Sequence, residues 1–294
     1  MARLSSDLPC LGVGLGFRRE LREPIFEHIE AIDVLEIVAD HFFNYVPEGQ
    51  TPAVELAEKF PLLPHGLELN IGAHGDFDPR NVEEAVSLTE AVSAPWYSDH
   101  LCFTQAQGLE IGQLTPLPHT RATVERCVAK ARAFQDQLGV PFLLENITRA
   151  FPLPGEMDEV SFVRAVIEGA DCGLLLDLTN LFINAHNFEY DAYAYLDELP
   201  LERVVQIHLA GSVRRGERWM DSHSHSIEEH PEVWELLDYV AQRTRIGAVI
   251  IERDQNYPDD FGELLADIRT AQSILGKPGS LSRPGLEAPG AHRH

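Results

Sequence analysis

No apolar run of 18 residues occurs anywhere in the 294-residue chain, which excludes an ordinary membrane-spanning helix. The opening stretch MARLSSDLPCLGVG lacks the apolar segment of a secretory signal. Cysteine is scarce: Cys10, Cys102, Cys127 and Cys172 are scattered, with no Cys-x-x-Cys spacing. They read as free thiols in a reducing, cytoplasmic compartment. Positive charge is also short, with 23 Lys and Arg against 47 Asp and Glu and a formal net charge of −24. Such a surface repels phosphate backbones, so no nucleic-acid partner is expected. There is no Gly-x-Ser-x-Gly elbow, no Walker-type loop, and no Gly-x-Gly-x-x-Gly opening a helix after the first strand. Nothing marks Cys102 as an activated nucleophile.

What is present is alternation. Apolar runs of strand length occur at 11–17, 34–39, 63–72, 96–103, 141–146, 173–178, 204–211 and 248–254. They are near-continuous in apolar residues, as strands covered on both faces are. Between them, residues 80–94, 120–139, 158–170, 231–244 and 260–276 repeat apolar side chains at about i, i+3, i+4 and i+7. Less distinct helices are expected near 20–31 and 50–60. Asp158 and Asp260 suit N-caps, and Gly139 and Gly276 suit C-caps. The pattern predicts a TIM-like (β/α)8 barrel forming one α/β domain over residues 1–276. A hairpin is expected near Leu101–Leu114, and the Pro/Gly-rich tail 277–294 is expected to be disordered.

In such a barrel the reacting groups sit at the C-terminal ends of the strands. Those ends carry Glu36, then His65, Asp99 and His100, Glu145 and Asn146, Asp177 and Asn180, His208, and Glu252 with Asp254. The stretch Asp221-Ser-His223-Ser-His225 follows the seventh strand. On an extended segment, alternation would put its acid and two imidazoles on one side. Each residue taken singly has a bland reading, such as a salt bridge, a helix cap or a turn histidine. Taken together, buried carboxylates and neutral imidazoles at one mouth are best compensated by more than one multivalent cation, in a nitrogen-and-oxygen donor set that suits iron, manganese or zinc. Glu36 is expected to orient a ligand. His74, His119, His186 and His230 are expected to lie outside the ligand set.

The motifs GVGLGFR, LEIVADHFF, LPHGLELNIG, YSDHLCFT, LLENIT, LLLDLTN, QIHLAGS, DSHSH and IERD, in this order over roughly residues 9–276, resemble the multinuclear non-heme iron-dependent oxidative enzymes. That family includes the methanobactin-biosynthesis oxidase group. The resemblance implies two or three iron ions of mixed Fe(II)/Fe(III) valence, with O2 as co-substrate. It implies oxidation of a residue, usually cysteine, in a ribosomally made precursor peptide, by way of the substrate thiolate and its β-carbon. It also implies a separate leader-recognition protein. Carried onto this chain, the metal ligands would be His65, His100, Glu145, Asp177, Asn180, His208, Asp221, His223 and Glu252, with His225 a weaker addition. Glu145, Asp177 and His208 would lie at the catalytic heart. The chain departs from the family's pattern at Asp99, where glutamate is common, at Thr179, at Ser212 where a histidine often stands, and at Asp40-His41-Phe42. A zinc or manganese barrel of the xylose-isomerase type, and a barrel that binds metal without turnover, are the competing readings.

Overall fold

The computed structural model describes residues 8–43, 51–106, 108–227 and 230–276. Eight parallel strands close into a barrel: β1 (Gly12–Gly16), β2 (Leu35–Val38), β3 (Leu62–Gly66), β4 (Tyr97–His100), β7 (Phe142–Glu145), β8 (Gly173–Asp177), β9 (Val204–Ala210) and β12 (Ala248–Glu252). They are ordered β1-β12-β9-β8-β7-β4-β3-β2, and β2 closes on β1. All eight expected strands form. The one expected at 63–72 stops at Gly66, because acidic side chains capture the backbone beyond it: Leu67 N donates to Asp40 Oδ2 at 2.7 Å and Leu69 N to Asp99 Oδ2 at 3.2 Å.

Helices α1 (Arg22–Glu27), α2 (Thr51–Ala57), α3 (Pro79–Ala91), α4 (Arg121–Leu138), α5 (Glu159–Ala170), α6 (Leu178–Asn187), α7 (Ala192–Glu198), α8 (Pro231–Ala241) and α9 (Gly262–Leu275) surround the barrel. Asp158 caps α5 by accepting from Ser161 N, and Gly139 ends α4 in the left-handed region, both as expected. Asp260 lies one residue before the cap of α9 yet still accepts from Gly262 N. Gly276 ends α9 in right-handed geometry, so a left-handed cap is not what stops that helix. Two helices, α6 and α7, occupy a stretch for which no helix was expected. The first begins directly at Asp177, whose carboxylate caps it by accepting from Asn180 N at 2.7 Å. Strand and helix share that residue, which hides the boundary from a periodicity reading.

Two hairpins stand on the C-terminal side of the barrel. β5 (Phe103–Ala106) and β6 (Leu109–Thr115) form the expected one; β10 (Val213–Arg215) and β11 (Arg218–Met220) form a second, unexpected one. The tail 277–294 lies outside the described residues. No described helix is long and apolar enough to cross a membrane.

The core lies between barrel and helices, with Phe134 of α4 packed edge-on against Tyr97 and Phe142 of two neighbouring strands. In β1, Gly14 allows close approach to β2: a Cβ there would sit 1.7 Å from the Val34 carbonyl oxygen. Gly14→Ala is therefore expected to force β1 and β2 apart, at a cost of about 1–3 kcal/mol as for other overpacked sites. Urea unfolding would read this as a lower midpoint with an unchanged slope.

Candidate metal centre

The strands deliver side chains to the mouth in register. His65 of β3 pairs with Ser98 of β4, His100 of β4 with Glu145 of β7, and Asp177 of β8 with His208 of β9. Because alternate residues share a face, this ladder fixes which groups meet.

His65 Nε2, His100 Nε2 and Glu145 Oε2 form a triangle with sides of 3.2, 3.2 and 3.4 Å. His100 Nδ1 lies 3.1 Å from the Gly66 carbonyl, which can only accept, so Nδ1 carries the proton. In the neutral ring Nε2 is then a bare lone pair, pointed at a second imidazole and a carboxylate. Burial, and then the neighbouring His100 and His208, hold His65 well below the usual imidazole pKa, so a second proton on that ring does not relieve the triangle.

His208 is fully buried and lies between carboxylates. Its Nε2 is 2.8 Å from Glu36 Oε2; its Nδ1 is 3.1 Å from Glu252 Oε2 and 3.6 Å from Glu145 Oε1. Gln206, two residues back on the same strand, also reaches Glu36, and its Oε1 accepts from Trp96 Nε1 at 2.8 Å. With Nε2–H donated to Glu36, Nδ1 is the ring nitrogen that faces Glu145 and Glu252. Burial opposes charging His208, but Glu252, Glu36 and Glu145 outweigh it and raise its pKa well above normal. The same carboxylates thus attract positive charge to this point.

His223 completes the wall. Its Nε2 is 2.9 Å from Asp221 Oδ1 and 4.0 Å from Asp177 Oδ2; its Nδ1 is 3.5 Å from Glu252 Oε2. Burial pushes Asp177 well above the carboxylate range, with Glu145 adding to it. For Glu252 burial acts the same way, but His208 and His223 prevail and hold it well below. Asn180 gives Nδ2 to the Asn146 carbonyl at 3.0 Å, which turns its Oδ1 the other way.

Whether a metal fits is decided by atoms left over. Glu145 Oε2, Asp177 Oδ2, Asn180 Oδ1, His208 Nδ1 and His223 Nε2 are buried acceptors or ring nitrogens with no aligned hydrogen-bond partner. Buried polar atoms are rarely left so. Three sets of donor atoms lie close enough together to share an ion: His65, Glu145 and His208; Glu36, His208 and Glu252; and Asp177, His223 and Glu252. The donor set therefore fits one or more divalent cations.

All nine residues named from the sequence lie in or against this cluster. His225 does not join it. His223 has a left-handed φ of 43°, which breaks the extended alternation, and His225 Nδ1 contacts Ser224 Oγ instead. Asp99 faces the 67–69 loop and the His100 amide. Ser212 contacts His230 Nε2 through its amide nitrogen and hydroxyl. His74, His119 and His186 stand elsewhere, contacting Arg126, Phe162 and Trp219 respectively. Sequence reading missed Ser98, Gln206 and Arg18. The first two lie two residues before His100 and His208 on their strands, so the period of 2 gave a signal for both. Arg18 gave none beyond its place after β1.

The family model described as "RiPP precursor modification enzyme MbnB/TglH/ChrH" matches residues 12–276. The chain belongs to this family. A UPF0276 protein of Pseudomonas aeruginosa is 35% identical over 270 residues, covering 91% of this chain and 94% of that protein. A UPF0276 protein of Shewanella loihica is 34% identical over 257 residues, covering 87% and 91%. Among solved structures, endonuclease IV from Thermus thermophilus superimposes with a TM-score of 0.58 at 17% identity, covering 90% of this chain and 98% of that one. D-psicose 3-epimerase from Clostridium cellulolyticum does so at 0.55 and 13%, covering 90% and 96%. These two likenesses show the barrel fold and no more. The family itself modifies precursors of ribosomally made peptides.

His208→Ala removes a donor shared by two sets, and Glu145→Ala removes one from the first set. Both variants are expected to lose bound metal, measured by elemental analysis after purification, while far-UV circular dichroism stays that of the intact barrel.

Proposed function

We propose that this chain is a multinuclear iron oxidase that uses O2 to modify a cysteine of a ribosomally synthesised precursor peptide. The observation that carries the reading is the set of buried, unpartnered donor atoms in a chain of this family. His65, His100, Glu145 and His208 would hold one part of the centre; Asp177, Asn180, Asp221, His223 and Glu252 would hold the other. Glu145 faces three imidazoles through its two oxygens, so it is the group placed to bridge ions. Iron with open positions would supply binding sites for a thiolate and for O2 and would relay electrons from the peptide to O2, which is reduced.

The chain's own part is positional. The Gly66 carbonyl keeps the proton of His100 on Nδ1, away from the centre. Glu36, itself anchored by Gln206 and Trp96, does the same at His208 Nε2. The Asn180 amide and the α6 cap hold the Asp177 carboxylate in place. A separate leader-recognition protein would present the precursor peptide to this chain.

A zinc or manganese barrel enzyme is the competing reading. Protein purified without oxygen should hold two or more irons per chain and consume O2 on addition of a cysteine-containing precursor peptide. Zinc at full loading with no O2 uptake would sink the oxidase reading in favour of the alternative.

A further inference from the structure

Asp221 and His223 are the proposed ligands carried by neither strand nor helix. His223 lies in the loop between β11 and α8, in left-handed backbone, which costs a non-glycine residue on the order of 1 kcal/mol and persists only where surroundings enforce it. The surroundings are specific. Asp254 N donates to the His223 carbonyl at 2.7 Å, and Asp254 Oδ2 lies 3.2 Å from His223 Nδ1. The other oxygen of Asp254 takes the Arg18 guanidinium side-on, with Arg18 Nε at 3.0 Å and Nη2 also in contact. Arg18 Nη1 donates to the Phe17 carbonyl at 2.9 Å, which pins the guanidinium to the end of β1. Next along, Arg253 Nη1 donates to the Ser224 carbonyl at 2.9 Å. Residues following β1 and β12 therefore grip the loop at its metal-facing histidine from both backbone and side chain.

We propose that Arg18 and Asp254 form a latch that positions His223, and that this latch governs occupancy of the ion held by Asp177, His223 and Glu252 while leaving the ion at His65, His100, Glu145 and His208 in place. With an ion bound, Asp254 would accept the Nδ1 proton of His223 and leave Nε2, beside Asp221 and Asp177, for the ion. Arg18 stops the Asp254 carboxylate from swinging towards solvent, where it is 37% exposed. The hydrogen bonds and ion pairs of the His65–His100–Glu145 triangle include neither residue. Arg18 and Asp254 are positioning residues: Asp254 acts through His223, and Arg18 through Asp254 and, at 4.0 Å, through Glu252 Oε1, a ligand of the same ion.

The inference rests on the metal-centre reading but not on iron, O2 or peptide, so its test uses metal alone. Wild-type, Arg18→Met, Asp254→Asn and Arg18→Lys chains are titrated anaerobically with Fe(II) against a chromogenic chelator. Co(II)-substituted samples give the visible spectrum of each site. Arg18→Met and Asp254→Asn are expected to bind one ion fewer at limiting metal, or to hold the weakest ion about 10–100-fold less tightly, as lost support of a ligand histidine generally does. The Co(II) bands of the remaining site should persist, which also reports an intact barrel. Arg18→Lys keeps one charged donor to Asp254 and should recover part of the lost affinity. A wild-type chain that binds no ion sinks the metal reading and the latch together. Full loading of wild type with unchanged stoichiometry and affinity in both Arg18→Met and Asp254→Asn overturns the latch alone, as does loss of every ion in either variant.

Discussion

Two ring nitrogens and a carboxylate oxygen crowded at one point, with at most the one ring proton of neutral His65 among them, are the constraint on which this barrel turns. His100 has committed its ring proton to the Gly66 carbonyl, so its Nε2 meets His65 Nε2 at 3.2 Å and Glu145 Oε2 at 3.4 Å with a lone pair. Water would relieve such a contact cheaply, but His65, His100 and Glu145 are all buried. Protonating His65 would relieve it too, and burial opposes that. A divalent cation removes the repulsion for all three atoms at once, in the softer nitrogen-rich environment that favours transition metals over calcium or magnesium. The two-sided environment of His208 follows the same logic. Carboxylates on both ring edges call for positive charge on both, a proton on the Glu36 side and a metal on the other.

The barrel makes this arrangement hard to escape. His65, Ser98, His100 and Glu145 are neighbours in one parallel ladder, and Asp177, His208 and Ile250 in another. A slip of one residue in either would turn every donor into the apolar layer under the helices. Gly66 shows how little slack remains: a Cβ there would lie 2.4 Å from both Asp99 Oδ2 and the Tyr97 hydroxyl oxygen. Donors from β3, β4, β7, β8, β9 and β12 are consequently fixed by sheet geometry, and the helices serve mainly to cover it. Only the loop-borne Asp221 and His223 need a separate means of support.

That division explains what could be read from the chain before its fold was known. The eight strands announced themselves as apolar runs, and their polar ends named the centre, because a charge closing an apolar strand has few other reasons to be there. The sequence was least legible where one residue serves two elements. Asp177 ends β8 and caps α6, and its second role concealed a helix. It was illegible again in the Asp221–His225 stretch. Alternation there suggested an extended strand, but the left-handed turn at His223 sends His225 elsewhere. Backbone sign cannot be inferred from a Ser-His-Ser pattern. Long-range partners such as Arg18 with Asp254, separated by 236 positions, leave no local trace at all.

Whole-chain charge is a poor guide to the surface a substrate would meet. The −24 of the chain suggests a basic partner, yet part of that negative charge is sunk in the centre, on Glu36, Glu145, Asp177 and Glu252, where histidines and a cation would neutralise it. The β10–β11 hairpin, between β9 and Asp221, carries Arg214, Arg215 and Arg218 together with Glu217. Fields within about a Debye length, roughly 8 Å at physiological salt, decide what an approaching peptide feels. Close to the site the balance is therefore set by local groups such as Asp221, Asp254 and Arg18, and not by the charge of the whole chain. Acidity still weighs against a nucleic-acid substrate, whose many phosphates would span the rest of the surface as well. It does not weigh against a peptide of either sign, because a peptide entering the mouth need touch only the rim.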